Sequence, residues 1–164
     1  MLRARAAFLR GEPEAVEELL RENASAQASL LRAEAFEQLG KPAEAIALLT
    51  PWRTKLQVEQ FTDPAELVAA AQGLLFLADL EGRPSQDYKT AMKLFGKARS
   101  DMDRLYWPAL LAEAEVLIEK DNAEEGVRAI IELLQLTPRS AEAARRLGGL
   151  GAARFHVAAA AKSS

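Results

Sequence analysis

A short pattern returns along this chain, and no other feature narrows its folding options as much. The segments 10–19, 40–49 and 121–130 share one shape: a breaker or capping residue, a short polar turn, then a small residue followed by aliphatic residues one and four places on. The segment 90–98 repeats the small-then-apolar part of it. The small anchors are Ala15, Ala45, Ala91 and Gly126, separated by 30, 46 and 35 residues. A recurrence at that interval marks a stack of like supersecondary units rather than a single layered sheet.

Each anchor is preceded by a second amphipathic stretch. Residues 28–39 place Leu31, Ala35 and Leu39 on one helical stripe, with Ala33 and Phe36 beside it. Residues 108–120 repeat this with Leu110, Ala114, Leu117 and Ile118, opened by Pro108 in a first helical turn. The longest stretch, 64–80, follows Asp63, a side chain suited to N-capping, and Pro64. A further helix is expected from Ser140 to Leu147. Alternating strand patterns are absent, and 33 alanines and 25 leucines among 164 residues favour helix. The expectation is an all-α chain of helix–turn–helix pairs. One pair cannot bury its apolar stripe alone, so about three or more must stack. The small residues Ala33, Ala45, Ala71, Ala91, Ala114 and Gly126 would let helices approach. The larger Phe36, Leu49, Leu74, Phe95, Ile130 and Leu133 would fill the space between layers.

With those residues in place the chain resembles the tetratricopeptide (TPR) repeat family. The best copy, 107–140, supplies Leu110, Ala114, Leu117, Gly126, Ile130, Leu133 and Pro138 at the pattern's hydrophobic, small and proline places. A second supplies Ala33, Phe36, Ala45, Leu49 and a Leu39-Gly40 turn. A third, with Ala71, Leu74, Ala91, Phe95 and Ala98, has an extended loop at 81–87 that is similar to the Sel1-like repeat. The resemblance implies a right-handed superhelix (solenoid) of about four repeats in one domain over 1–164. Its units would be 1–25 (partial), 26–62, 63–103, 104–140 and 141–164 (partial). Residues 2–9 read as too short to partner a helix over 13–23. The Gly- and Ala-rich stretch 148–164 lacks a polar capping helix, so a piece of a longer protein is expected.

Candidate chemistry gives way to structural readings. Lys and Arg number 21 against 24 Asp and Glu, a net charge of −3, which offers nucleic acid no basic face overall. Without cysteine there is no disulfide or thiolate site, and a lone His156 excludes a multi-histidine metal site. Asp101 and Asp103 are expected to cap or precede the next helix. Residues 121–125 lack an EF-hand's twelve-residue loop and read as a turn with first-turn acids. Gly148, Gly149 and Gly151 have neither the preceding strand nor the following Lys of a phosphate loop. No cofactor, metal or catalytic group is expected. The longest apolar stretch, 67–80, includes Gln72, Gly73 and Asp79 and falls short of a membrane span. No signal peptide is visible, which points to a soluble chain with the cytoplasm as default.

In TPR arrays the first helix of each pair lines a concave face that holds a peptide. On this chain the resemblance maps that face to Gln27, Leu30, Glu34, Glu37 and Gln38, then Val68, Gln72, Leu75 and Phe76, then Leu111, Glu115, Ile118 and Glu119. Such a groove is apolar in its middle and acidic at its sides, suited to a protein or peptide with aliphatic anchors and basic flanks. Leu30, Glu34, Val68 and Gln72 stand where chaperone-tail-binding relatives carry Lys, Asn and Arg, so that clamp is missing. The expectation is a non-catalytic interaction scaffold. The alternatives are a structural spacer of a larger enzyme or envelope assembly, or self-association through ends bearing Leu2, Phe8, Leu150 and Phe155.

Overall fold

A computed structural model of the chain describes residues 1–58, 60–120 and 122–136. The fold they make is all-helical. The order is α1 (Leu2–Leu9), α2 (Pro13–Leu20), α3 (Ala26–Gln38), α4 (Pro42–Val58), α5 (Pro64–Leu80), α6 (Tyr88–Lys97), a π turn (Ala98–Met102), α7 (Trp107–Glu119) and α8 (Ala123–Leu136). No strand is present among the described residues. The expectations for His156, the glycines at 148–151, Ser140, Leu150 and Phe155 fall outside the described residues.

The first helix of each pair stops for the same local reason. After α1, α3 and α5 the chain turns at Gly11, Gly40 and Gly82, whose φ values are 73°, 68° and 69°. Glycine adopts that left-handed conformation without a Cβ penalty. At each turn two N–H groups bond back to carbonyls of the last helical turn. Gly40 N–H reaches Glu37 O at 2.9 Å and Lys41 N–H reaches Phe36 O at 2.8 Å. Gly11 and Glu12 bond the same way to Phe8 and Ala7, and Gly82 and Arg83 to Asp79 and Ala78. At the end of α7 the Asn122 N–H returns to Leu117 O at 3.0 Å. These paired bonds satisfy carbonyls that a helix end would otherwise leave without partners. Pro13 and Pro42 then open α2 and α4, where a missing N–H costs nothing.

Several boundaries differ from the sequence expectation. Helix α2 ends at Leu20 rather than 23, so α1 and α2, at eight residues each, form a short but matched pair. Helix α4 runs on to Val58 through Pro51, forgoing one backbone bond inside the helix. Helix α7 begins at Trp107. Asp63 caps α5 as expected, its carboxylate accepting from Ala65 N–H at 2.8 Å. Asp101 and Asp103 precede α7, as expected, and Tyr106 holds its N-cap position without a side-chain bond of its own.

The chain divides into two compact units, Met1–Arg104 and the residues from Leu105 onward. In the first, α3 is buried on two sides. Ala28, Leu31 and Ala35 join Ala4, Ala7, Val16 and Leu20 of the first pair. Ala26 and Ala33 join Ala45, Leu49 and Trp52 of α4 and Ala69, Ala70 and Leu77 of α5. Helices α3 and α5 also touch directly. Alanine at these points is what lets the backbones come together, since a larger side chain would hold them apart. Helix α5 is apolar nearly all round, with nine of its seventeen residues buried. At the edge of this core Trp52 packs on Phe61 with centroids 6.4 Å apart, and the Lys55 ammonium lies 4.4 Å from the Trp52 ring centroid.

The third pair carries an insertion. Elsewhere the second helix starts two residues after the turn glycine, as at Gly11–Pro13 and Gly40–Pro42, whereas α6 starts six residues after Gly82. Arg53 of α4 holds the extra loop at both ends. It donates to both Glu81 oxygens at 3.1 and 2.7 Å, and to Asp87 Oδ2 at 3.2 and 2.9 Å. These hydrogen bonds hold the Glu81 carboxyl below the usual carboxylate range, partly opposed by desolvation.

In the second unit α7 packs on α8. Gly126 sits against Ile118, and a Cβ there would come within 2.8 Å of Ile118 Cγ1. That contact explains why the anchor of this pair is glycine rather than alanine. Every small residue expected at a helix contact is buried.

Candidate partner-binding surface

Helix α3 presents Gln27, Leu30, Glu34, Glu37 and Gln38 at helical spacing, and its N-terminus is fixed by the next pair. Glu66, in the first turn of α5, accepts from Ala26 N–H at 2.6 Å and from the Gln27 amide at 2.9 Å. One carboxylate thus satisfies a backbone donor at the head of α3 and orients the first side chain of the stripe. Ser25 completes the cap by accepting from Ala28 N–H at 3.2 Å. On the opposite side, Arg32 ties α3 to α2 through both Glu17 oxygens at 2.7 and 2.9 Å.

The expected groove positions divide by burial. Glu37 and Gln38 are exposed, and Gln27, Leu30 and Glu34 are half-buried. On α5, Gln72, Leu75 and Phe76 are half-buried, with Leu30 and Phe76 both packed along the edge of the same core cluster. Val68, 5 % exposed, lies in the core. The resemblance to TPR arrays assigns it an outward place, but α5 is apolar nearly all round and buries it. In the second unit Leu111 is likewise core at 3 % exposure, while Ile118 is half-buried and meets Gly126 within the α7–α8 pair. Glu115 is half-buried and Glu119 exposed. Glu34 and Glu115 both make polar or electrostatic contacts within the fold, which leaves Glu37 and Glu119 as the groove carboxylates most open to solvent.

The surface of the first unit that remains is therefore narrower than the sequence mapping. Of the expected positions it keeps the half-buried Leu30, Leu75 and Phe76, the half-buried Gln72 and Glu34, and the exposed Glu37 and Gln38. These are carboxylates and amides together with half-exposed apolar side chains. Among the described residues no three His, Cys, Asp or Glu side chains gather in a way that could hold a metal ion. Among them, too, no helix is long and apolar enough to cross a membrane.

Sequence reasoning missed Glu66, Arg53 and the π turn. Glu66 carries the signal of an acid in a first helical turn, which explains its position but not its reach to the preceding pair. Arg53 and Asp87 are 34 residues apart and have no local signature. No protein-family model and no curated protein matches this chain, so its function rests on the site alone.

Proposed function

We propose that the chain is a non-catalytic interaction scaffold of TPR-like helix pairs stacked in a right-handed solenoid, binding a partner segment across its first helices. The observation that carries this reading is the Glu66 bridge from α5 to the head of α3, together with direct packing of those helices. First helices of successive pairs are thereby held side by side, as a shared binding face requires. The half-exposed Leu30, Leu75 and Phe76 would seat aliphatic anchors, and Glu34 and Glu37 would attract Lys or Arg flanks. The partner is a protein or peptide, with no role for nucleic acid, cofactor or membrane insertion.

The test is cross-linked capture from native lysate, read by mass spectrometry, with wild type beside Glu37→Lys/Glu119→Lys and Glu34→Lys/Glu115→Lys. Loss of one basic partner from both variants, with unchanged circular dichroism, supports the reading. Retention by Glu37→Lys/Glu119→Lys refutes the acidic specificity.

Self-association is a second reading favoured by its own observation. Val127, Ile131 and Leu134 are exposed at i, i+4 and i+7 on α8, and Leu2 is 87 % exposed on α1. Light scattering across a concentration series tests it: a mass that stays at 17.9 kDa removes it.

A further inference from the structure

Helix α6 and the turn after it carry charge of the sign opposite to the α3–α5 surface. Residues 89–104 hold five cations, Lys89, Lys93, Lys97, Arg99 and Arg104, against two carboxylates, Asp101 and Asp103, in a chain of net charge −3. The three lysines recur at every fourth residue, so they stand above one another along one side of α6, and all three are exposed. No acidic residue interrupts α6 from Tyr88 to Lys97. Asp87, just before the helix, is occupied by Arg53.

At the far end of this row the helix widens. The Asp103 N–H bonds to Ala98 O at 3.0 Å, five residues back, which defines the π turn. Single π turns of this kind occur often at functional sites. A notch of about 290 Å³ opens here, lined by Gly96, Arg99, Ser100 and Arg104. A Cβ added to Gly96 would meet nothing within 4 Å, so the absent side chain leaves open space beside the notch. Arg99 is half-buried in the wall of the notch and supplies one guanidinium. Arg104 is exposed and supplies the second.

The chemistry selects among anions. Paired guanidinium groups match the oxygens of a phosphoryl group and hold it through charge-assisted hydrogen bonds. The Ser100 hydroxyl is committed to Asp101 Oδ1 at 2.5 Å, so the guanidinium groups supply the donors. With five cations against two carboxylates the surrounding charge is positive, and a phosphomonoester carrying about −1.5 to −2 at neutral pH gains more from it than a singly charged carboxylate does. The lysine row then asks for further negative charge extending away from the notch along α6.

We propose that this notch receives the phosphoryl group of a phosphoserine or phosphothreonine in an acidic partner segment whose carboxylates lie along Lys97, Lys93 and Lys89. The site is separate from the acidic surface of α3 and α5 and does not depend on it.

The test is fluorescence-polarisation titration of the full chain with a labelled peptide of glutamates around one phosphoserine, beside its unphosphorylated twin. The phosphopeptide is expected to bind about tenfold more tightly than the twin, as paired charge-assisted bonds allow. Gly96→Gln, which fills the notch, and Arg104→Gln, which removes a donor, should each lower the phosphopeptide to the twin's affinity and leave the twin unchanged. Lys93→Glu/Lys97→Glu should weaken both peptides. Thermal unfolding of each variant keeps folding and binding distinct, and competition by orthophosphate would support the assignment. Equal affinity for the two peptides, no binding of either, or a phosphate preference that survives Gly96→Gln would overturn it. So would an RNA oligonucleotide or phosphatidylserine vesicles binding as tightly as the phosphopeptide and losing that binding in Arg104→Gln.

Discussion

Two glycines in second helices of their pairs have opposite surroundings, and opposite outcomes are expected on substitution. Gly126→Ala drives a Cβ against Ile118. It is expected to lower stability by about 1–2 kcal/mol as the overpacked contact shifts. Gly96→Ala places its methyl in open space on a helix, and should raise stability by about 0.5–1 kcal/mol through lost unfolded-state freedom. Urea unfolding of the two variants beside wild type measures both, and the same sign for the pair would contradict the packing. Small residues at helix contacts were legible because size at a repeating position is a local pattern. The burial of Val68 and Leu111 was not, since it depends on which neighbours α5 and α7 acquire once the helices pack. Arg53 shows a different blindness, because its partners become neighbours only after α4, α5 and α6 have packed. Its bonds keep the Glu81 carboxyl ionised below the usual range, so the stability they provide is present at neutral pH and lost as acid protonates that group. Arg53→Met should lower Tm by about 3–6 °C at pH 7, and the gap to wild type should close between about pH 5 and pH 3. A gap independent of pH over that interval would place the contribution of Arg53 in its packing instead.

Among the elements, each first helix ends on bonds it makes to itself, whereas α3 begins on a bond from another pair. That difference decides what sequence could reveal. The glycine turns at 11 and 40 announced themselves through local residues, and so did the Asp63 cap. At the head of α3 the Ser25 cap is local, but the Ala26 N–H is satisfied by Glu66, forty residues on, a partner that nothing local to α3 specifies. Glu66→Ala is expected to cost about 1 kcal/mol, a typical loss for a helix cap. Its signature should be spatially confined: faster amide exchange at Ala26 and Gln27, with the first turns of α2 and α6 unchanged. Exchange that quickens uniformly would mean that Glu66 supports the whole unit rather than one helix end. The full length of α4 escapes local reading for a related reason. Pro51 reads as a stop when taken alone, yet Trp52 beyond it is buried against the α3–α5 core, and that packing outweighs one forfeited backbone bond.

For the whole molecule, the division at Arg104 makes a direct statement about cooperativity. The first unit has its own core, built from Ala4 and Ala7 through Leu77, and a fragment of residues 1–104 is expected to remain helical and unfold in one transition. A fragment without a sigmoidal urea transition would show that the first unit borrows stability from the remainder. Charge at this scale is also divided. The net value of −3 conceals a carboxylate-bearing α3 and a lysine-lined α6, because a sum over the chain erases the places where signs segregate. The all-helical architecture was legible from periodicity, while the usable surface was not, since exposure is settled by which neighbours a helix acquires.

The insertion after Gly82 has a consequence for rebuilding this protein. Helix α5 closes on its own carbonyls at Gly82 and Arg83, and α6 is held at its start by the grip of Arg53 on Asp87. The connecting residues between those two anchorages therefore bear little of the architecture. They act as an exchangeable panel in a fixed frame: a foreign epitope or a designed recognition loop could be grafted between Arg83 and Asp87 while both helices keep their places.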